Sequence, residues 1–156
     1  MLYTFGYEGL DIERYIARLL EVGVKTIVDV RQLPLSRKRG FSKRAFAETL
    51  EKAGIAYLHA PTLGCPKTIR DAYRTGGDWG KYTTEFMAYL RTQDASIREL
   101  AKISRATDAC LVCFEADFSY CHRTFVARAA QKRGAPEVAH ITAQKVTIDS
   151  PLRVAA

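Results

Sequence analysis

The sequence predicts an α/β fold: a single domain over residues 1–156, with a Rossmann-like, mostly parallel sheet of about five strands flanked by helices. Three observations carry this expectation. Short apolar, β-branched runs alternate with helical patterns. Glycines close one helix after another. Titratable residues collect just beyond the apolar runs rather than inside them.

Taken in order, Leu2 to Tyr7 reads as a first strand, closed by Gly6-Tyr-Glu-Gly9. Asp11 then caps a helix whose apolar face is Ile12, Tyr15, Ile16, Leu19 and Leu20, with Gly23 as its stop. Val24 to Val30 is the second strand, and a basic loop through Pro34 to Gly40 leads to Ser42, the expected cap of a helix over Lys43–Ala53. Ile55 to His59 is the third strand. Thr62 to Gly80 has weak periodicity and reads as an excursion over a site, with a short helix at Thr68–Tyr73. Helices follow at Lys81–Arg91 and at Ser96–Arg105, the latter capped by Ser96. Ala109–Cys113 is the fourth strand, and a helix then runs to Gly134. Glu137–Ile141 is the fifth strand, and Val146–Ile148 adds a weak sixth.

A composition of 47% hydrophobic and 26% charged residues is that of a globular chain and argues against disorder. No stretch approaches the roughly 18 apolar residues of a membrane span, so no membrane partner is expected. Met1 leads straight into Leu2-Tyr-Thr-Phe5 with no basic n-region, which predicts a cytoplasmic protein without a secretion signal. The net charge is +7, concentrated at Arg37-Lys-Arg39 and Lys43-Arg44. That pattern fits an anionic partner, either a small molecule carrying phosphate or a nucleic acid, and a solvated basic face explains it equally well. The sequence fixes no oligomeric state.

In an open parallel sheet, ligands bind beyond the carboxyl ends of the strands. Those ends carry Tyr7 and Glu8, then Asp29 and Arg31, then His59, then Glu115 followed by Cys121-His122-Arg123. One shared pocket accounts for four polar strand ends better than four separate causes. In this reading Cys121, Glu115 and Glu8 carry the chemistry, and Tyr7, Asp29, Arg31, Arg37, His59 and Arg123 bind substrate. Cys121 at a helix start is placed for a thiolate. Glu115 and Glu8 offer a carboxylate pair. Arg123 either binds an anion or fixes Glu115. Thiol attack and carboxylate-assisted hydrolysis both stay open, so an enzyme of this kind is a hydrolase or transferase using a Cys/Glu site. The alternative is a non-catalytic nucleic-acid-binding or regulatory module.

No cofactor is expected. Gly6-Tyr-Glu-Gly9 lacks the G-x-G-x-x-G pattern, although Asp29 stands at the spacing of a ribose-binding acid. No metal is expected either. Cys113, Cys121 and His122 are ligand types without a supporting CxxC pair. Cys110 and Cys113 lie three apart on one strand and face opposite sides, so Cys110 reads as a buried structural thiol.

The run Tyr3-Thr-Phe-Gly-Tyr-Glu-Gly9, with Asp29-Val-Arg31, Pro34, Ser36-Arg37-Lys38, Gly40-Phe-Ser42, Tyr57-Leu-His59, Pro61, Leu63-Gly64, Cys113-Phe-Glu115 and Cys121-His-Arg123, resembles the domain-of-unknown-function family 488. The likeness spans nearly the whole chain. It implies a small bacterial or archaeal α/β protein and no established reaction. Cys65 stands where the family has a second glycine after Leu63-Gly64. Asp-Val-Arg at a strand end and a later Cys loop before a helix are also similar in architecture to rhodanese-like domains and phosphatase-type Cys loops. Those loops place their arginine further round than Arg123.

Overall fold

The computed structural model of the chain describes residues 1–150. Six strands form one sheet: β1 (Leu2–Gly6), β2 (Thr26–Asp29), β3 (Ala56–His59), β4 (Ala109–Cys113), β5 (Val138–Ile141) and β6 (Val146–Ile148). Their order is β3-β2-β4-β1-β5-β6. The first five run parallel, and β6 joins the edge antiparallel to β5. The α/β expectation therefore holds, with the weak sixth strand present.

Side chains alternate across the pleat, which divides the core in two. Phe5, Ile27, Cys110, Val112 and Ile141 pack against α1 (Ile12–Val22) and α2 (Lys43–Lys52). Leu2, Val28, Leu111 and Val138 face α4 (Trp79–Arg91), α5 (Asp94–Ala106) and α6 (His122–Lys132). Cys110 and Cys113 do fall on opposite faces. β1 and β4 are neighbours, yet β1 leads into α1 on one face and β4 into α6 on the other. Connections leaving neighbouring strands on opposite faces open a crevice at their carboxyl ends.

Local chemistry sets the helix ends. Asp11 caps α1 by accepting from the Arg14 amide at 2.8 Å, and Gly23 ends it at φ 92°. Leu20 is exposed rather than part of the buried face. Ser42 makes no capping bond to α2. Its hydroxyl instead donates to the Ser36 carbonyl and accepts from the Ser36 amide, closing the basic loop on itself. The helix placed at Ser96 begins earlier, at Asp94, whose carboxylate sits in the first turn beside Arg98 and Arg133. The stretch Thr62–Gly80 is mostly helical rather than a loop. It contains α3 (Lys67–Gly76), and Asp78 then caps α4 by accepting from the Lys81 amide. No helix among the described residues is long and apolar enough to cross a membrane.

Near the sheet's far edge a buried histidine is expected to make stability depend on pH. His140 is fully buried between Thr4, at 2.7 Å from Nδ1, and Asp149, at 2.9 Å from Nε2, and its ring stacks on Phe118. Burial holds the His140 pKa below 6.5 despite Asp149, with Arg123 and Arg128 also opposing the charge. Burial pushes Asp149 the other way, but Arg128 and His140 outweigh it and hold the carboxyl below 3.8. Both folded values lie below the unfolded ones, so the unfolded chain binds protons first as pH falls. Stability is expected to be full above about pH 6.5 and to decline below it, with a second decline below about pH 4. Denaturant titrations from pH 7.5 to 5 read the first decline, and His140→Gln should flatten it.

Candidate functional site

β4 delivers Cys113 to the carboxyl edge of the sheet, and the next eight residues cross to α6 through a single 3-10 turn, Phe118–Tyr120. Neighbouring strands and helix hold this crossing tightly. The Tyr7 and Glu8 amides donate to the carbonyls of Cys113 and Phe114 at 3.1 and 2.8 Å. Glu8 Oε1 accepts from the Ala116 amide at 3.0 Å. Thr124 Oγ1 donates to the Phe118 carbonyl at 2.6 Å. Arg123, fully buried, donates to the backbone carbonyls of Glu115 and Ala116. Gly6 admits this packing because it has no Cβ: one built there would lie 1.7 Å from the Glu115 carbonyl oxygen.

The crossing gathers four chemical groups. Glu115 Oε2 accepts from the thiols of Cys113 at 2.8 Å and Cys121 at 3.3 Å. His122 Nδ1 stands 3.7 Å from the Cys113 sulfur and 3.9 Å from that of Cys121. On its other side, His122 Nε2 lies 2.8 Å from the Val30 carbonyl oxygen, which fixes Nε2 as the protonated nitrogen and turns Nδ1 toward the sulfurs. All four cysteines are free thiols.

The electrostatics separate the two sulfurs. The Cys113 thiol is pushed well up, first by its contact with Cys121 and then by burial. Burial opposes a charge on Cys121 too, but the Cys113 thiol, Arg123 and His122 together outweigh it and hold Cys121 well below the ordinary thiol value. Burial raises Glu115, and the charge of Cys121 adds to that. His122 is raised: burial works against its charge, and Cys121 and the Val30 carbonyl more than compensate.

The residues at the end of β2 serve a different purpose. Arg31 Nε and Nη2 form a bidentate pair with Asp29 at 2.9 and 2.8 Å. Its Nη1 donates to the Phe41 carbonyl at 2.6 Å and to the Tyr7 hydroxyl at 3.3 Å. Tyr57 donates to Asp29 Oδ2. Asp29 is wholly buried and Arg31 nearly so, and Tyr7 stacks on Phe41 above them. This ion pair locks the basic loop onto the sheet. His59 is likewise occupied, with Nε2 2.9 Å from the Arg31 carbonyl oxygen.

A cavity of about 430 Å³ opens where these strands end. Of the expected site residues, Tyr7, Arg31, Arg37 and Glu115 line it, together with Cys113 and His122. Cys121, against Glu115 and His122, is not among the residues that line the cavity. Glu8, Asp29, His59 and Arg123 are also outside the wall, held by the backbone and ion-pair contacts above. The opposite wall comes mostly from the middle of the chain, with Arg70, Tyr73 and Arg74 of α3 and Trp79 and Tyr82 of α4, joined by Tyr120 of the crossing. The excursion thus lies against the cavity, as helices. Cys65, in place of a glycine, adds a buried thiol to this wall, its pKa pushed up to about 11 by burial. The sequence did contain a signal for these residues. Arg70, Tyr73 and Arg74 are spaced i, i+3, i+4 and share one helical face, with the chain's one tryptophan close behind.

No curated protein and no solved structure matches the chain. A family does match, over residues 11–130, a span that holds Asp29, Arg31, the α3 wall and the whole crossing from Cys113 to Arg123. By that match the chain belongs to the family described as Domain of unknown function DUF488.

Proposed function

We propose that the protein is an enzyme, a hydrolase or transferase, acting on an anionic substrate of the nucleotide type. One observation carries the reading. A carboxylate, a thiol and an imidazole meet at the buried side of a cavity whose outer side holds the exposed Arg37 and Arg74 and the half-buried Arg70, which donates to the Cys65 carbonyl and Gln32 Oε1. Guanidinium groups recognise phosphate oxygens in a planar, two-pronged geometry. Trp79, Phe114 and Tyr120 offer ring faces to a base. Glu115 is the acid–base group, because it alone of the carboxylates lines the cavity and touches the sulfurs. Arg123 and Glu8 position its loop, and the Asp29–Arg31 pair holds the basic loop that carries Arg37.

The test is turnover of nucleoside mono-, di- and triphosphates, followed by mass spectrometry. Glu115→Gln is expected to lower kcat by about a hundredfold or more with KM little changed, and Arg70→Ala to raise KM. Equal turnover by wild type and Glu115→Gln would contradict the assignment. Steep salt-dependent binding of oligonucleotides without turnover would favour the non-catalytic alternative.

A further inference from the structure

The end of β4 and the start of α6 bring two thiols and an imidazole together. We propose that Cys113, Cys121 and His122 bind one zinc-class divalent cation, with Glu115 beside its fourth position. Metal binding stands on the geometry of the cluster alone, whereas its use in catalysis rests on the function proposed above.

The ligand atoms of the three residues all lie within 4.8 Å of one another. Zinc bonds of about 2.3 Å to sulfur and about 2.0 Å to nitrogen give a tetrahedral sulfur–nitrogen edge of about 3.5 Å. The observed edges from His122 Nδ1 are 3.7 and 3.9 Å. Both sulfur–nitrogen edges are close to those of a zinc cage. Thiolate and imidazole ligands suit zinc, and carboxylate-binding magnesium or calcium would find too little oxygen here.

The surroundings fit as well. A metal-binding histidine donates its other ring N–H to a carbonyl or carboxylate, which orients the ring, and His122 Nε2 meets the Val30 carbonyl in that way. Arg123 lies buried behind the sulfurs, with an Nε that has no partner among the described residues, and its charge favours thiolates. The spacing is short and local: strand end, eight-residue crossing, helix start. A CxxC pair is not needed when a strand and a helix N-terminus supply the ligands.

A cation held by three protein ligands has a fourth position to fill, and catalytic zinc fills it with water whose pKa it lowers. Glu115, lining the cavity and touching both sulfurs, would take that water's proton. With the cation bound, the water oxygen would bond to the substrate phosphorus as the P–O bond to the leaving group breaks, and the Glu115 carboxyl would return the proton to that leaving oxygen.

The full chain, stripped by chelator and titrated with Co²⁺, tests this. Wild type is expected to bind one equivalent, with thiolate-to-cobalt charge transfer and the visible bands of tetrahedral coordination, and Zn²⁺ should displace it. Cys121→Ser and His122→Ala are each expected to weaken zinc by at least about a hundredfold, whereas Cys110→Ser on the opposite sheet face leaves the titration unchanged. A wild-type titration without charge transfer overturns the metal site, needs no variant to fold, and leaves the proposed function standing on Glu115 and the arginines. Glu115→Gln is expected to keep the cobalt bound with altered visible bands. Loss of the metal in that variant would make Glu115 a fourth ligand, closing the site and overturning its catalytic use.

Discussion

Replacing Asp29 by alanine is expected to destabilise the chain by about 3–5 kcal/mol. The figure follows from what is left behind. Arg31 would keep its place in a nearly solvent-free position, held by Tyr7 and the Phe41 carbonyl, with no counter-charge. Tyr57 would lose its acceptor at the same time. Denaturant unfolding followed by circular dichroism measures the loss. The exposed Arg44–Glu48 pair provides the contrast, because Glu48→Ala removes a bridge already surrounded by water and should leave stability nearly unchanged. A small effect at Asp29 would mean that Arg31 can reach solvent, and would undo the assignment of this pair as the lock on the basic loop.

Gly6→Ala is expected to cost about 3 kcal/mol or more, a large value for one methyl group. The cost arises because the obstacle is backbone. The Glu115 carbonyl cannot rotate away as a side chain could, and Arg123 holds it from the other side. The added methyl therefore displaces the whole crossing, and with it Cys113, Glu115 and Cys121. The variant should unfold at lower denaturant and also lose any ligand or metal bound at the crossing. Gly9→Ala serves as comparison: its Cβ would meet nothing within 4 Å, but its φ of 82° strains an alanine, so a moderate cost with the cluster intact is expected.

The fold was legible in the sequence because periodicity reports burial. Ala109-Cys-Leu-Val-Cys113 and Thr26-Ile-Val-Asp29 are buried on both faces because helices cover both faces of the sheet. Strand order was not legible, since β4 enters between β2 and β1 and nothing local to those residues records their neighbours. At the site, residue types located the chemistry, but their roles depend on direction. Arg123 and Asp29 are polar residues at strand or helix ends, as a binding residue would be, yet both are buried in service of the backbone and a neighbouring charge. Arg70, Arg74 and Trp79 lie in a stretch of weak periodicity, because α3 buries no side chain fully and so leaves little apolar rhythm to read.

The cavity is the centre of this account, and the single tryptophan reports on it directly. Trp79 packs between Tyr82 and Tyr120 at the cavity wall, and no other tryptophan contributes to the signal. Titrating the wild-type chain with nucleoside phosphates is expected to change Trp79 fluorescence saturably. Inorganic phosphate should compete, and Arg70→Ala with Arg74→Ala should weaken binding by about tenfold or more. A fluorescence signal that never saturates, or an affinity indifferent to loss of both arginines, would contradict the assignment of this cavity to an anionic substrate.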